Sequence, residues 1–128
     1  MPDTLPAWFA RVVECFPERV ALTGDRGAWT YAELDEQANR IAHLLARHGV
    51  GRETPVALVF ERSPELVAAI LGIVKAGATY VPVDPGYPDD RVAFMLTDAQ
   101  APVVLTRRAL AGRLPDGSAR VLCLDDPA

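Results

Sequence analysis

The sequence predicts an α/β fold: a layered, mostly parallel sheet with helices on both faces. Three observations carry that expectation. Short apolar runs alternate with amphipathic stretches along the chain, the pattern of strands and helices stacked in layers. Residues 56–60, "VALVF", are apolar at every position, so this strand needs cover on both faces and reads as central and parallel. Helix start and stop signals flank the amphipathic stretches, giving crossovers that are right-handed by default.

The elements follow in order. A first helix is expected over residues 4–16, with Trp8, Phe9, Val12, Val13 and Phe16 as an apolar stripe and Pro17 as its stop. "RVALT" (Arg19 to Thr23) reads as a strand, "GDRGA" as the turn after it, and a short strand precedes the next helix. In "TYAELDEQANRIAHLLARHG", Thr30 and Glu33 have the spacing of a capping box. Leu34, Ala38, Ile41 and Leu45 recur at helical spacing and form the face to be buried, while Gly49 suits a left-handed residue beyond the helix end.

After the strand over residues 55–60, Ser63 caps a helix with Pro64 at its first position. That helix runs to Gly77, with Val67, Ile70, Leu71 and Val74 expected inside and Gly72 allowing close approach to a neighbouring backbone. "TYVPV" is a short strand whose Pro82 cannot donate to a ladder, so it belongs at an edge or an end. Pro88, Asp89 and Asp90 open another helix whose acidic first turn suits the dipole, with Val92, Met95 and Leu96 facing inward. Residues 102–106 and 120–124 are two further strands, separated by a short helix around residues 108–114.

Size and composition narrow the function. The 128 residues amount to one domain, and half are hydrophobic, enough for a core of its own. A net charge of -4 argues against a nucleic-acid partner. No apolar stretch is long enough to span a bilayer. The N-terminus carries Asp3 early and is not a secretory signal. Cys15 and Cys123 have no CxxC spacing, so they read as buried or neutral thiols in a reducing cytoplasm, not as a zinc site or disulfide framework. His43 and His48 lie five apart on one helix, off the spacing of a metal pair, and are expected to face solvent.

Which residues could do chemistry? Lys75 is the only lysine and stands near Gly77. A phosphate loop, however, joins a strand to the start of a helix, where backbone N–H groups meet the phosphate. Lys75 ends a helix, where the dipole favours a cation on the protein; "HGVGRE" fails for the same reason. Asp84 is read as the turn-forming residue of Asp-Pro-Gly, and Asp125 and Asp126 as a solvated turn. Tyr80 and Tyr87 are expected to stack on the proline-rich turn. The residues by themselves assign no catalytic, cofactor-binding or metal-binding position.

Two stretches resemble the adenylation domains of nonribosomal peptide synthetases, within the adenylate-forming (AMP-binding) superfamily. In "WTYAELDEQANRIAHLL", Thr30, Tyr31, Glu33 and Leu34 match the family's first core motif. In "VKAGATYVPVDPGYPDDR", Lys75, Ala76, Gly77, Tyr80, Pro82, Asp84, Pro85, Tyr87, Pro88 and Arg91 match its second, with Thr79 where alanine is usual and Val74 and Val83 where leucine is common. These are structural signature residues. The resemblance covers nearly the whole chain and implies the N-terminal subdomain of an adenylate-forming fold.

It further implies a parent enzyme that uses ATP and Mg²⁺ to form an aminoacyl-adenylate and loads the acyl group onto the phosphopantetheine of a peptidyl carrier protein. The implied partners are the remainder of the adenylation domain, that carrier, the amino-acid substrate, and a neighbouring condensation domain or small activator protein, with neither nucleic acid nor membrane among them. The family's phosphate-binding loop, substrate pocket and catalytic lysine would lie beyond residue 128, so the chain alone is expected to be inactive. Two alternatives stay open at this point: a fragment of an acyl-CoA synthetase, and a non-enzymatic α/β binding or interaction module. The strands apolar on both faces also lead to the expectation of an uncovered apolar patch.

Overall fold

The computed structural model describes residues 5–24, 27–61, 63–114 and 119–124, with residues 5–8 and 24 described by their backbone. The readings of Asp3, Thr4, the Trp8 side chain, the centre of the "GDRGA" turn, Asp125 and Asp126 lie outside these residues. The helices are α1 (Leu5–Cys15), α2 (Tyr31–Arg47), α3 (Pro64–Lys75), α4 (Asp89–Ala99) and α5 (Arg108–Ala111). The strands are β1 (Val20–Gly24), β2 (Gly27–Thr30), β3 (Pro55–Val59), β4 (Thr79–Val83), β5 (Val103–Thr106) and β6 (Arg120–Cys123). β1 and β2 form an antiparallel pair; the other four make a parallel sheet in the order β4-β3-β5-β6.

The central position of β3 follows from its composition. Successive side chains of a strand point to opposite faces, so an all-apolar strand feeds two cores. Val56, Leu58 and Phe60 join Val103 and Leu105 beneath α2, α3 and Phe9 of α1. Ala57 and Val59 join Val83 and Val104 beneath Val92 of α4 and Leu110 of α5. Pro82 lies on β4, an edge strand, where a missing donor does least harm.

α2 forms where its signals place it. Glu33 N–H donates to Thr30 Oγ1 at 3.2 Å and Thr30 N–H to Glu33 Oε1 at 2.8 Å, a reciprocal cap worth about 1 kcal/mol. Leu34, Ala38, Ile41 and Leu45 are its buried residues. α2 and α3 end in the same way. Gly49 (φ +78°) and Gly77 (φ +80°) are left-handed. Their N–H groups donate to Ala46 O and Val74 O at 3.1 and 3.0 Å, and those of Val50 and Ala78 to Leu45 O and Ile73 O at 3.0 and 3.1 Å. This is the paired closure that satisfies the last carbonyls of a helix.

α3 departs from the sequence expectation. Of Val67, Ile70, Leu71 and Val74, only Leu71 is buried; Ala68, Ala69, Gly72 and Ile73 complete the covered side. Val67, Ile70 and Val74 are half-buried. The reason lies in the sequence itself: residues 66–74 are apolar all round, so hydrophobicity sets no phase. Close packing sets it instead. A Cβ on Gly72 would meet Ile41 Cγ2 at 2.6 Å, Ile41 Cβ at 2.7 Å and Ala38 O at 3.0 Å, so the glycine is where α2 crosses α3. In α1 the apolar stripe stops short, because Phe9 is buried but Phe16 is 45% exposed.

Candidate functional site

In a parallel α/β sheet, ligands bind beyond the carboxyl ends of the strands, at the point where the strand order reverses. Here that point lies between β3 and β5, because β3 leads outward to β4 and the chain then crosses back to β5. The residues there are Val59, Phe60 and Glu61 after β3, and Thr106 and Arg107 after β5.

Thr106 is fully buried, and its hydroxyl donates to Val59 O at 2.7 Å, holding the two strand ends together. One residue further, an Arg107 guanidinium nitrogen pairs with Glu61 Oε1 across the same gap. Both side chains stay accessible, at 36% for Arg107 and 56% for Glu61. Beside them Arg113 donates to Asp89 Oδ1 from Nη2 at 2.9 Å and from Nε at 3.1 Å, and to Tyr87 O at 3.3 Å. Asp89 and Arg113 rim a cleft between Val59, Pro85, Val92 and Leu110 with about 10 Å³ of free volume, the space of roughly one water.

Does this edge suit a nucleoside triphosphate and Mg²⁺? Phosphates need open N–H groups and positive potential at a helix start. At α3 the N–H of Leu66 is taken by Ser63 Oγ at 3.3 Å, with Pro64 and acidic Glu65 alongside. At α4 the first turn carries Asp89 and Asp90. Both starts repel an anion. Among the described residues no group of three or more His, Cys, Asp or Glu side chains could hold a metal ion. Among the described residues, these helix starts and side chains do not fit the triphosphate or its metal.

The signature residues separate into two edges of the layer. Thr30, Tyr31, Glu33 and Leu34 start α2, and Tyr31 meets Phe9 with ring centroids 6.3 Å apart. Lys75, Ala76 and Gly77 end α3; Tyr80 and Pro82 lie on β4. Asp84, Pro85, Tyr87, Pro88 and Arg91 follow at the opposite end of that strand, about 16 Å away at 3.3 Å per residue. Asp84 Oδ1 accepts from Gly86 N–H at 2.8 Å, closing the turn its sequence suggested. Tyr87 carries the Arg91 guanidinium 4.5 Å above its ring centre. Tyr80 is 43% exposed. His43 is exposed and His48 is half-buried at the end of α2.

Lys75 does more than neutralise a helix end. Its Nζ lies 2.6 Å from Asp35 Oδ1 and 2.9 Å from Asn39 Oδ1, both on α2, and 5.8 Å from the centre of the Phe9 ring. Sequence reasoning missed this pair, as it missed Glu61, Thr106 and Arg107. One signal was readable: in "PVVLT" a hydroxyl ends an otherwise apolar strand.

The pattern of the family described as "AMP-binding enzyme" matches residues 9–127. One of the linear gramicidin synthase subunits of Brevibacillus parabrevis is 48% identical over 117 residues, covering 91% of this chain and 2% of that protein. Surfactin synthase subunit 3 of Bacillus subtilis (strain 168) is 47% identical over 114 residues, covering 87% of this chain and 9% of that protein. The chain thus spans a small fraction of the length of these relatives. The N-terminal subdomain of Klebsiella oxytoca NpsA, in complex with 3-hydroxyanthranilyl-AMSN, superposes with a TM-score of 0.85 at 33% identity, covering 94% of this chain and 31% of that one. The nonribosomal peptide synthetase FmoA3 gives a TM-score of 0.90 at 34% identity, over 95% and 13% of the two chains.

Proposed function

Since the chain belongs to the AMP-binding enzyme family, and within it to the adenylation domains of nonribosomal peptide synthetases, we propose that residues 1–128 form the N-terminal part of an amino-acid adenylation domain, ahead of its ATP phosphate-binding loop. The parent activates an amino acid with ATP and Mg²⁺ as an aminoacyl-adenylate and releases pyrophosphate. It then passes the acyl group to the phosphopantetheine thiol of a peptidyl carrier protein in the cytoplasm. What supports this reading most is the likeness along 94% of the chain to a subdomain solved with an acyl-adenylate analogue. An artificially fused adenylation–carrier di-domain, NpsA-ThdA from Klebsiella oxytoca, at a TM-score of 0.86, supports the carrier as partner.

The chain's own contribution is architecture. Its parallel sheet, closed at β3 and β5 by Thr106, gives the rest of the domain a rigid base, and the signature residues hold helix ends and a turn. The phosphate cradle, metal ligands and substrate pocket come from other segments, in keeping with the acidic helix starts at the carboxyl edge. Residues 1–128 alone are inactive.

Amino-acid-dependent ATP–pyrophosphate exchange by the complete parent tests the reading. Exchange well above a blank lacking amino acid is the expected result. Exchange with fatty acids alone would overturn it in favour of an acyl-CoA synthetase. Exchange by residues 1–128 alone would overturn the claim of inactivity.

A further inference from the structure

Both faces of β3 and β5 carry helices, so the apolar strands leave no bare sheet behind. The accessible groups of these strands gather at their carboxyl ends. There the Glu61–Arg107 ion pair keeps 56% and 36% of its two side chains exposed, and pairs so exposed add little to folding. What sets this one apart is its place. It spans the gap between β3 and β5, the switch point where parallel α/β sheets take their ligands.

The backbone beneath the pair is already locked. The Thr106 hydroxyl donates to Val59 O at 2.7 Å, and Thr106 O accepts from Leu124 N–H at 2.9 Å, so the ends of β3, β5 and β6 are tied at one level. The loops begin above that level. Glu61 lies in the β3–α3 loop, and its carbonyl accepts from the Ser63 hydroxyl at 3.0 Å. The same Ser63 Oγ accepts from Leu66 N–H at 3.3 Å, in the first turn of α3. Arg107 stands at the cap position of α5. One ion pair therefore couples the start of α3, through Ser63 and Glu61, to the start of α5.

We propose that Glu61 and Arg107 act as one positioning unit for adenylate formation, holding the β3–α3 and β5–α5 loops at a fixed separation against which the parent's reacting segments are set. This rests on the adenylation-domain reading. Neither side chain takes a step in the chemistry; the pair fixes the wall of a crevice. Misplacement by about 1 Å, even far from the reacting atoms, can cost about a hundredfold in rate. A tie of small worth to folding can thus be of large worth to catalysis.

Pyrophosphate exchange by the complete parent, with the amino acid that supports it best, tests this role. Glu61→Gln, Arg107→Gln, their double variant and Arg107→Lys are compared with Arg120→Gln, an exposed control at the amino end of β6. Each glutamine single should lose at least about tenfold in kcat per folded molecule, with both KM values moving less than about threefold. Their thermal midpoints should stay within about 3 °C of the unsubstituted protein. The double variant should lose no more than the worse single, because one unit can be broken only once. Arg107→Lys keeps the cation and should stay within about threefold of the parent, and Arg120→Gln should match it. Amide exchange should quicken around both Glu61 and Arg107 when either is substituted. Singles with unchanged kcat overturn the proposal, as do losses that multiply in the double variant or merely follow the unfolded fraction. Absence of exchange in the unsubstituted parent has a different meaning: it removes the adenylation reading and this role together, leaving only the loop coupling that amide exchange reads.

Discussion

Lys75 and Asp35 join α3 to α2 through a 2.6 Å ion pair whose side chains are only 17% and 25% exposed. The pair also draws in Asn39, whose Oδ1 accepts from the same ammonium at 2.9 Å. Partial burial places it between a surface pair, worth under about 1 kcal/mol, and a buried one, whose breakage costs about 3–5 kcal/mol. Lys75→Met should therefore destabilise by about 1–2 kcal/mol. A double-mutant cycle with Asp35→Asn, followed by urea unfolding, should return a favourable coupling. Pyrophosphate exchange per folded parent molecule should be unchanged, because Lys75 holds helices together; a loss of exchange in a fully folded Lys75→Met protein would show that the lysine works on substrate.

Gly72→Ala sets two effects against each other. Alanine improves helix propensity by about 1 kcal/mol. Overpacking a filled contact costs about 1–3 kcal/mol. The clashes at 2.6 and 2.7 Å fall on the branched end of Ile41 near its own backbone, and the third, at 3.0 Å, on the Ala38 carbonyl. Neither neighbour can swing aside as a long flexible side chain would, so the clash wins. Thermal unfolding should show a lowered midpoint, and a raised one would mean that the helices are free to separate.

Thr106→Val keeps the shape of a fully buried side chain and removes only its hydroxyl. The loss of the 2.7 Å bond strips Val59 O of that donor at the strand end. A buried polar group deprived of its partner costs about 1–3 kcal/mol, more than the extra apolar atom returns. Urea titration should show the loss in stability, with amide exchange quickening around residues 59 and 106. An unchanged titration midpoint would mean that water or another donor serves that carbonyl.

The parts of this fold that were legible in the sequence carry local signals. The Thr30–Glu33 cap, the Leu34–Ala38–Ile41–Leu45 face, the Ser63–Pro64 start and the Gly49 and Gly77 ends each lie within a few residues of their partners. β3 was legible because its composition admits only a central place. The phase of α3 was not, since nine apolar residues in a row look alike from every side and only the approach of α2 breaks the tie. Partners far apart in the chain were equally hidden: Asp35 for Lys75, Glu61 for Arg107, Val59 for Thr106. Each needs the strand order or helix crossing before it can be named.

The crossing of α2 and α3 bears on how such proteins can be recombined. Gly72 and Lys75 fit Ile41, Ala38 and Asp35, so the two halves of this contact work as a matched set. A hybrid synthetase joined in the loop between the helices would set a glycine notch from one parent against a side chain from another. Junctions placed before Thr30 or after Ala78 move the crossing as a unit.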